Sequence, residues 1–261
     1  MSTHETGHDT NVGNLEVLIS NCTGFGSTYN PSKVSIKLPG LNALLTASQG
    51  SNTTVSDKKN LYTVAVDGRE ILFNPLSPLT TRILNALESS EVTKQIISDA
   101  KTYTRKITGK RATPKAKQIQ IDPNGSVNEG TGTLNASDNN TPSLDPKEIS
   151  ASQLSFDNRM ANLARLINLL SSEPGYNPNE ADLKVTALNS MLASMKLKNT
   201  AVINAATALA NSRLNRNKIL YKDGTGLFDI TIAVKAYVKS VYGASSPEFK
   251  LVSKIKFTKP R

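Results

Sequence analysis

The sequence predicts an all-α protein made by tandem duplication of a four- to five-helix unit, packed as two related bundles or as one bundle with an internal pseudo-twofold. Three observations lead there. Short motifs recur at a constant separation. Apolar residues fall at helical spacing. The apolar composition is Leu, Ile, Val and Ala with few aromatics and no Trp, a common make-up of helical bundles. The repeats are specific. Asn14-Leu15 recurs as Asn162-Leu163, Leu18-Ile19 as Leu166-Ile167, and Tyr29-Asn30-Pro31 as Tyr176-Asn177-Pro178. Ile71-Leu72-Phe73 recurs as Ile219-Leu220-Tyr221, and Lys106-Ile107 as Lys254-Ile255. Every pair is 147 or 148 residues apart.

The first copy spans 9–111, after a polar tail at 1–8. Leu15, Leu18, Ile19 and Cys22 form the stripe of its first helix. Cys22 stands where the other copy has Leu170, so it is expected in the core as a small hydrophobe. A second helix carries Leu41, Leu44 and Leu45, and Pro39-Gly40 is expected to break or kink it. A third element runs from about Thr54 to Val66 and closes near Asp67-Gly68. Its segment Tyr62 to Val66 is β-branched enough to keep a strand as an alternative. Ser77-Pro78 opens a fourth helix bearing Leu79, Ile83 and Leu87, and Val92, Ile96, Tyr103 and Ile107 mark a fifth.

Residues 112–149 change character: the stretch Asn124 to Thr133 and the run Ser137 to Pro142 are mostly Gly, Asn, Ser and Thr with almost nothing to bury, which predicts a disordered linker. The second copy spans 150–261. Ser150 with Gln153 is a capping-box signature. Met160, Leu163, Ile167 and Leu170 follow as one stripe. Gly175 and Pro178 break the chain, and Asn179 is the expected cap of the next helix, with stripe Leu188, Met191, Leu192 and Met195. A separate, alanine-rich third helix is expected from about Thr200 to Tyr221, closed by Asp223-Gly224. Leu227, Ile230, Val234, Tyr237, Val238 and Val241 give the fourth helix, with Gly243 as its stop. Ser245-Ser246-Pro247-Glu248 opens a short fifth, whose apolar side is Phe249, Val252 and Ile255.

Catalytic chemistry is thinly represented. The only histidines, His4 and His8, fall in the expected tail. A folded part without imidazole can build neither a Ser-His-Asp triad nor a Cys-His pair. One cysteine forms no internal disulfide and no thiolate metal cluster. No phosphate loop, dinucleotide fingerprint or calcium loop occurs. Gly224-Thr225-Gly226 opens a helix whose exposed amides could hold an anion, and Asp229 could face inward without a spaced partner. The expectation is therefore no enzyme, no cofactor and no metal. With no apolar stretch near the roughly 20 residues of a membrane span and no secretory leader, a cytoplasmic site is expected and a membrane partner is not.

Charge supplies the candidate site. The net charge of +10 divides as +3 over residues 1–111, −2 over 112–149 and +9 over 150–261. A basic excess attracts polyanions. Lys101, Arg105, Lys106, Lys110 and Arg111 end the first copy, with Lys115 and Lys117 beyond. Lys250, Lys254 and Lys256 end the second. These are the candidate polyanion-binding residues, and Arg213, Arg216, Lys218 and Lys222 form a similar cluster. Only Tyr103 and Phe257 interleave them, too few for a strong single-strand signature. The first reading is a non-enzymatic helical scaffold or interaction protein, with a protein partner or self-association. The alternative is a nucleic-acid (polyanion) binder using the repeat ends.

Lys235 to Pro247 and Ile255 to Lys259, together with Glu173 to Glu180 and Arg213 to Tyr221, resemble the C-terminal part of a set of uncharacterised bacterial proteins of about this size. The resemblance covers 150–261 well and the first copy more loosely. It implies a tandem helical architecture in a bacterial cytoplasm and carries no activity and no site residues.

Overall fold

The computed structural model describes residues 5–109 and 154–259. Every regular element among them is helical. The order is α1 (Glu5–Gly24), two 3-10 turns (Gly26–Thr28 and Val34–Ile36), α2 (Leu38–Phe73), α3 (Leu76–Glu88), α4 (Lys94–Thr108), α5 (Phe156–Ser171), α6 (Val185–Tyr221), α7 (Leu227–Tyr242) and α8 (Pro247–Ser253). The linker at 112–149, Lys110, Arg111, Lys115, Lys117 and the Ser150–Gln153 cap lie outside the described residues.

Several expected boundaries move. The second and third elements of each copy are one helix, α2 with 36 residues and α6 with 37. Pro39 does not break α2. It sits in the first turn, where a backbone N–H has no intrahelical acceptor to lose. Gly40 is needed beside it, because a Cβ there would meet the Val34 carbonyl oxygen at 2.6 Å. The polar stretch 50–54 stays helical because its hydroxyls turn back onto the helix. Ser51 Oγ donates to the Ser48 carbonyl at 2.8 Å, and Thr54 Oγ1 to the Gly50 carbonyl at 2.8 Å. Tyr62 to Val66 lies inside α2, so the strand alternative is wrong, and Gly68 closes nothing.

Caps shift too. Ser155 caps α5, accepting from Asn158 N. Asn179 is not a cap, since α6 begins only at Val185. Ser246, with Pro247 as the first helical residue, caps α8. Gly243 does end α7, at φ 89°. The tail shortens as well: residues 5–8 belong to α1, and His8 is buried.

The described chain forms two compact units that do not follow the sequence halves. The terminal unit comprises 1–68 and 200–261, and the central unit 69–199. α2 leaves the terminal unit after Gly68, and α6 enters it at Thr200. In the terminal unit α7 packs on α1, α8 and the Val34–Ile36 turn, and α1 also meets α8. Its core joins Leu15, Leu18, Cys22 and Leu41 to Leu220, Leu227, Val234, Val238 and Val252. In the central unit α4 packs on α3 and α5. Its core joins Leu76, Ile83, Leu87 and Ile107 to Leu163, Leu166, Ile167, Leu188 and Met195. Each hydrophobic core thus combines residues from before and after the linker.

The recurring tyrosines do the same task in both units. Tyr29 Oη donates to the Ile36 carbonyl at 2.6 Å, and Tyr176 Oη to the Leu183 carbonyl at 2.9 Å. Asn52 Nδ2 donates to Asp9 at 2.6 Å, and Asn199 Nδ2 to Asp157 at 2.9 Å. The Lys106-Ile107 motif breaks this parallel: Ile107 is buried in α4, whereas Ile255 follows α8.

Candidate polyanion interface

The C-terminal segment of the terminal unit, a strip that follows α8 without regular structure, is held against α1. Asn11, buried on α1, grips it from both sides. Its Nδ2 donates to the Thr258 carbonyl at 2.7 Å, and its Oδ1 accepts from Thr258 N at 3.0 Å. A side-chain amide can do this because it carries a donor and an acceptor side by side. Asn14 Nδ2 adds a bond to the Lys256 carbonyl at 2.7 Å. From α7, Lys235 Nζ donates to the Ile255 carbonyl and lies 5.3 Å from the centre of the Phe257 ring. Burial pulls the Lys235 ammonium below the usual lysine range.

The strip alternates. Ile255 and Phe257 are half-buried, while Lys254 and Lys256 are exposed. Lys250, on α8, is also exposed. Among the described residues, Lys250, Lys254 and Lys256 form no ion pair. Lys259 is spent on Asp223 at 3.0 Å.

The strip is tied to the end of α6. Asn11 Nδ2 also donates to Tyr221 Oη at 3.1 Å, and His8 Nδ1 lies 2.7 Å from the same oxygen. Burial pushes the Tyr221 phenol above its ordinary range, with Asn11 and Arg216 pulling it part of the way back. Lys218 and Lys222 flank Tyr221 along an open depression of about 600 Å³ that Leu214, Asn215 and Asn217 also line. The sequence reading placed His8 in a dispensable tail and excluded folded imidazole. That is corrected: His8 is 5% exposed and hydrogen-bonded in the terminal unit. Asn11 and Asn14 were missed as clamps. Asn14 carried a signal as part of a recurring pair, but Asn162, 148 positions on, instead donates to the Asn158 carbonyl in its own helix.

The first-copy cations lie in the central unit and are used differently. Lys101 pairs with Glu88 at 2.6 Å. Arg105 and Lys106 are half-buried in the last turn of α4, where positive charge complements the helix dipole. Of the eight candidate residues, then, Lys250, Lys254 and Lys256 lie exposed in the terminal unit, and Lys101, Arg105 and Lys106 lie in the central unit. Lys110 and Arg111 lie outside the described residues.

Other sequence candidates resolve locally. Asp229 accepts from Gly224 N at 2.6 Å, and the Thr225 and Gly226 amides donate to the Lys222 carbonyl at 3.3 and 2.7 Å, so all three amides are already taken. Cys22 is fully buried in the core, as its position opposite Leu170 suggested. Burial pushes its thiol up to about 11, with Tyr29 partly opposing. Among the described residues no group of three His, Cys, Asp or Glu side chains is placed to hold a metal, and no helix is long and apolar enough to cross a membrane. Comparison with known proteins finds no match to a family model, a curated protein or a solved structure.

Proposed function

We propose that this protein is a non-enzymatic helical scaffold or interaction protein, arisen by internal duplication and acting in the cytoplasm through protein partners that include further copies of itself. One observation carries the reading: both hydrophobic cores are assembled from the two halves of the chain. A half by itself leaves two apolar faces open, and such faces are association surfaces by nature. The side chains best suited to chemistry are engaged in holding the fold. His8 binds Tyr221, Asp229 binds a turn amide, and Cys22 is a buried thiol. Light scattering over a concentration series tests this reading. It expects mass above one chain as concentration rises, and one chain's mass throughout counts against it.

The exposed lysine strip favours a second reading, polyanion binding. Lys250, Lys254 and Lys256 stand ready to replace counterions along a phosphate chain. Affinity for mixed-sequence DNA or RNA is then expected to fall linearly with log salt. Changing all three to Gln should reduce that slope by roughly 2–3. An unchanged slope removes this reading and leaves the scaffold untouched.

A further inference from the structure

We infer that two copies of this chain pair by exchanging halves, with α1–α4 of one copy completing both units with α5–α8 of the other. The inference rests on the scaffold reading and names the mode of self-association. Its ground is the composition of the cores. In the central unit, Phe73, Leu76, Ile83, Leu87 and Ile107 come from before the connection at 110–153, and Leu163, Ile167, Leu188 and Met195 from after it. In the terminal unit, Leu15, Leu18 and Leu41 come from before it, and Leu227, Val234 and Val252 from after. Some polar contacts also cross between the halves. Asn11 reaches Thr258, Asp182 pairs with Arg82, and Arg69 Nη1 donates to Asn199 Oδ1 at 3.1 Å. Among the helix packings, α4 on α5 and α1 on α7 and α8 join the two halves, whereas α3 on α4 and α7 on α8 lie within one half.

A half therefore cannot tell whether its complement belongs to its own chain or to a second one. Every buried contact of the monomer is reproduced in an exchanged pair. What separates the two states is the chance that the attached half arrives first. Joining two halves through a connecting segment gives the attached half an effective concentration of roughly mM for short connections, decreasing as the connection lengthens. Chain concentrations approaching that value shift the balance to pairs, the low-cost route to a dimer known as domain swapping. The resulting pair is closed. Each copy gives both its halves and receives both of its partner's, so growth stops at two.

The test uses the full chain with a protease recognition sequence inserted after Gly130, prepared with two different affinity tags. The two preparations are unfolded together in denaturant, refolded over a range from about 1 µM to 1 mM, diluted, and separated by size with light scattering. Expected is a species of twice the chain mass that carries both tags and grows with refolding concentration. The isolated dimer is then cleaved to completion, as judged on a denaturing gel. Cleavage of an exchanged pair severs both covalent ties between the two assemblies, one from each chain, so the mass halves to that of one chain while each product still contains both fragments. A dimer that keeps its doubled mass after cleavage overturns exchange while leaving self-association standing. A single chain's mass at every concentration overturns both.

Discussion

At the end of α6, in the terminal unit, Tyr221 faces His8 with ring centres 5.5 Å apart; at the end of α2, in the central unit, the residue 148 positions earlier is Phe73, facing Phe156 at 4.8 Å. Matching positions of the sequence repeat thus hold two chemistries. Around Tyr221 the contacts are hydrogen bonds, from Asn11 at 3.1 Å and with His8 at 2.7 Å. Around Phe73 they are faces and edges. Phe156 meets it edge-on, Arg159 lies over it at 5.3 Å, and Arg69 lies over Phe156 at 3.7 Å. Burial lowers the Arg159 guanidinium from its ordinary range, and its Nη2 donates to the Phe73 carbonyl at 3.2 Å. A ring pair at a helix end can thus be held by a hydroxyl network or by stacked guanidinium, while the surrounding leucines stay in place. What the polar version adds is a grip on a further segment: Asn11 bonds both Tyr221 and the lysine strip.

The largest expected effect is one the units share. Leu15→Ala and Leu163→Ala remove equivalent, fully buried side chains. Each should cost about 2–5 kcal/mol in urea titration, from lost burial plus the cavity left behind. A large loss at one site alone would break the equivalence. Next comes the difference between the ring pairs. Tyr221→Phe leaves the buried Asn11 amide without its hydroxyl partner, for an expected loss of about 1–3 kcal/mol in thermal melting. It should also raise proteolysis of the strip beyond Ser253. Smaller again, Tyr29→Phe and Tyr176→Phe each remove one hydroxyl-to-carbonyl bond that both units make, worth about 0.5–1.5 kcal/mol apiece and nearly equal.

Alkaline pH sharpens the comparison. The raised Cys22 thiol belongs to the terminal unit, and its counterpart Leu170 does not titrate. A group whose folded pKa is raised stabilises the fold fully below its unfolded value and loses that contribution as pH rises through the folded one. The terminal unit should therefore weaken between about pH 9 and 11, and Cys22→Ala should flatten that part of the curve. Tyr176, pushed up to about 12 by burial and the nearby Asp182 and Glu180, affects the central unit only beyond pH 10. The smallest effect is expected from Arg82→Gln. Its pair with Asp182 is solvent-exposed, and its loss should leave the melting temperature unmoved.

The helical class was legible because helical spacing marks burial directly. Leu15, Leu18, Ile19 and Cys22 are buried together, as are Met160, Leu163, Ile167 and Leu170. The continuity of α2 and α6 was not legible. Gly50-Ser51-Asn52 reads locally as a break, and only the tertiary setting reverses it. Ser48 and Ser51 are buried and bonded to carbonyls of their own helix, and Asn199 on α6 is held by Arg69 and Asp157. The partnering of halves was hidden for a deeper reason. A stripe tells which side chains leave water, not which helix covers them. For the candidate site, the exposed lysines were readable from charge alone. Their clamp was not, because Asn11 and Asn14 are ordinary surface residue types whose role depends on a segment more than 240 positions away.

The central claim is that neither half owns a core. The direct measurement is to cut the dilute, monomeric full chain between Gly130 and Thr131 through an inserted protease site, then record native mass and far-ultraviolet circular dichroism. Interleaved cores predict one undivided complex of both fragments, with helix content unchanged and a single loss of structure when denaturant separates them. Two fragments that part in native buffer, each keeping its helices and melting cooperatively, would contradict it.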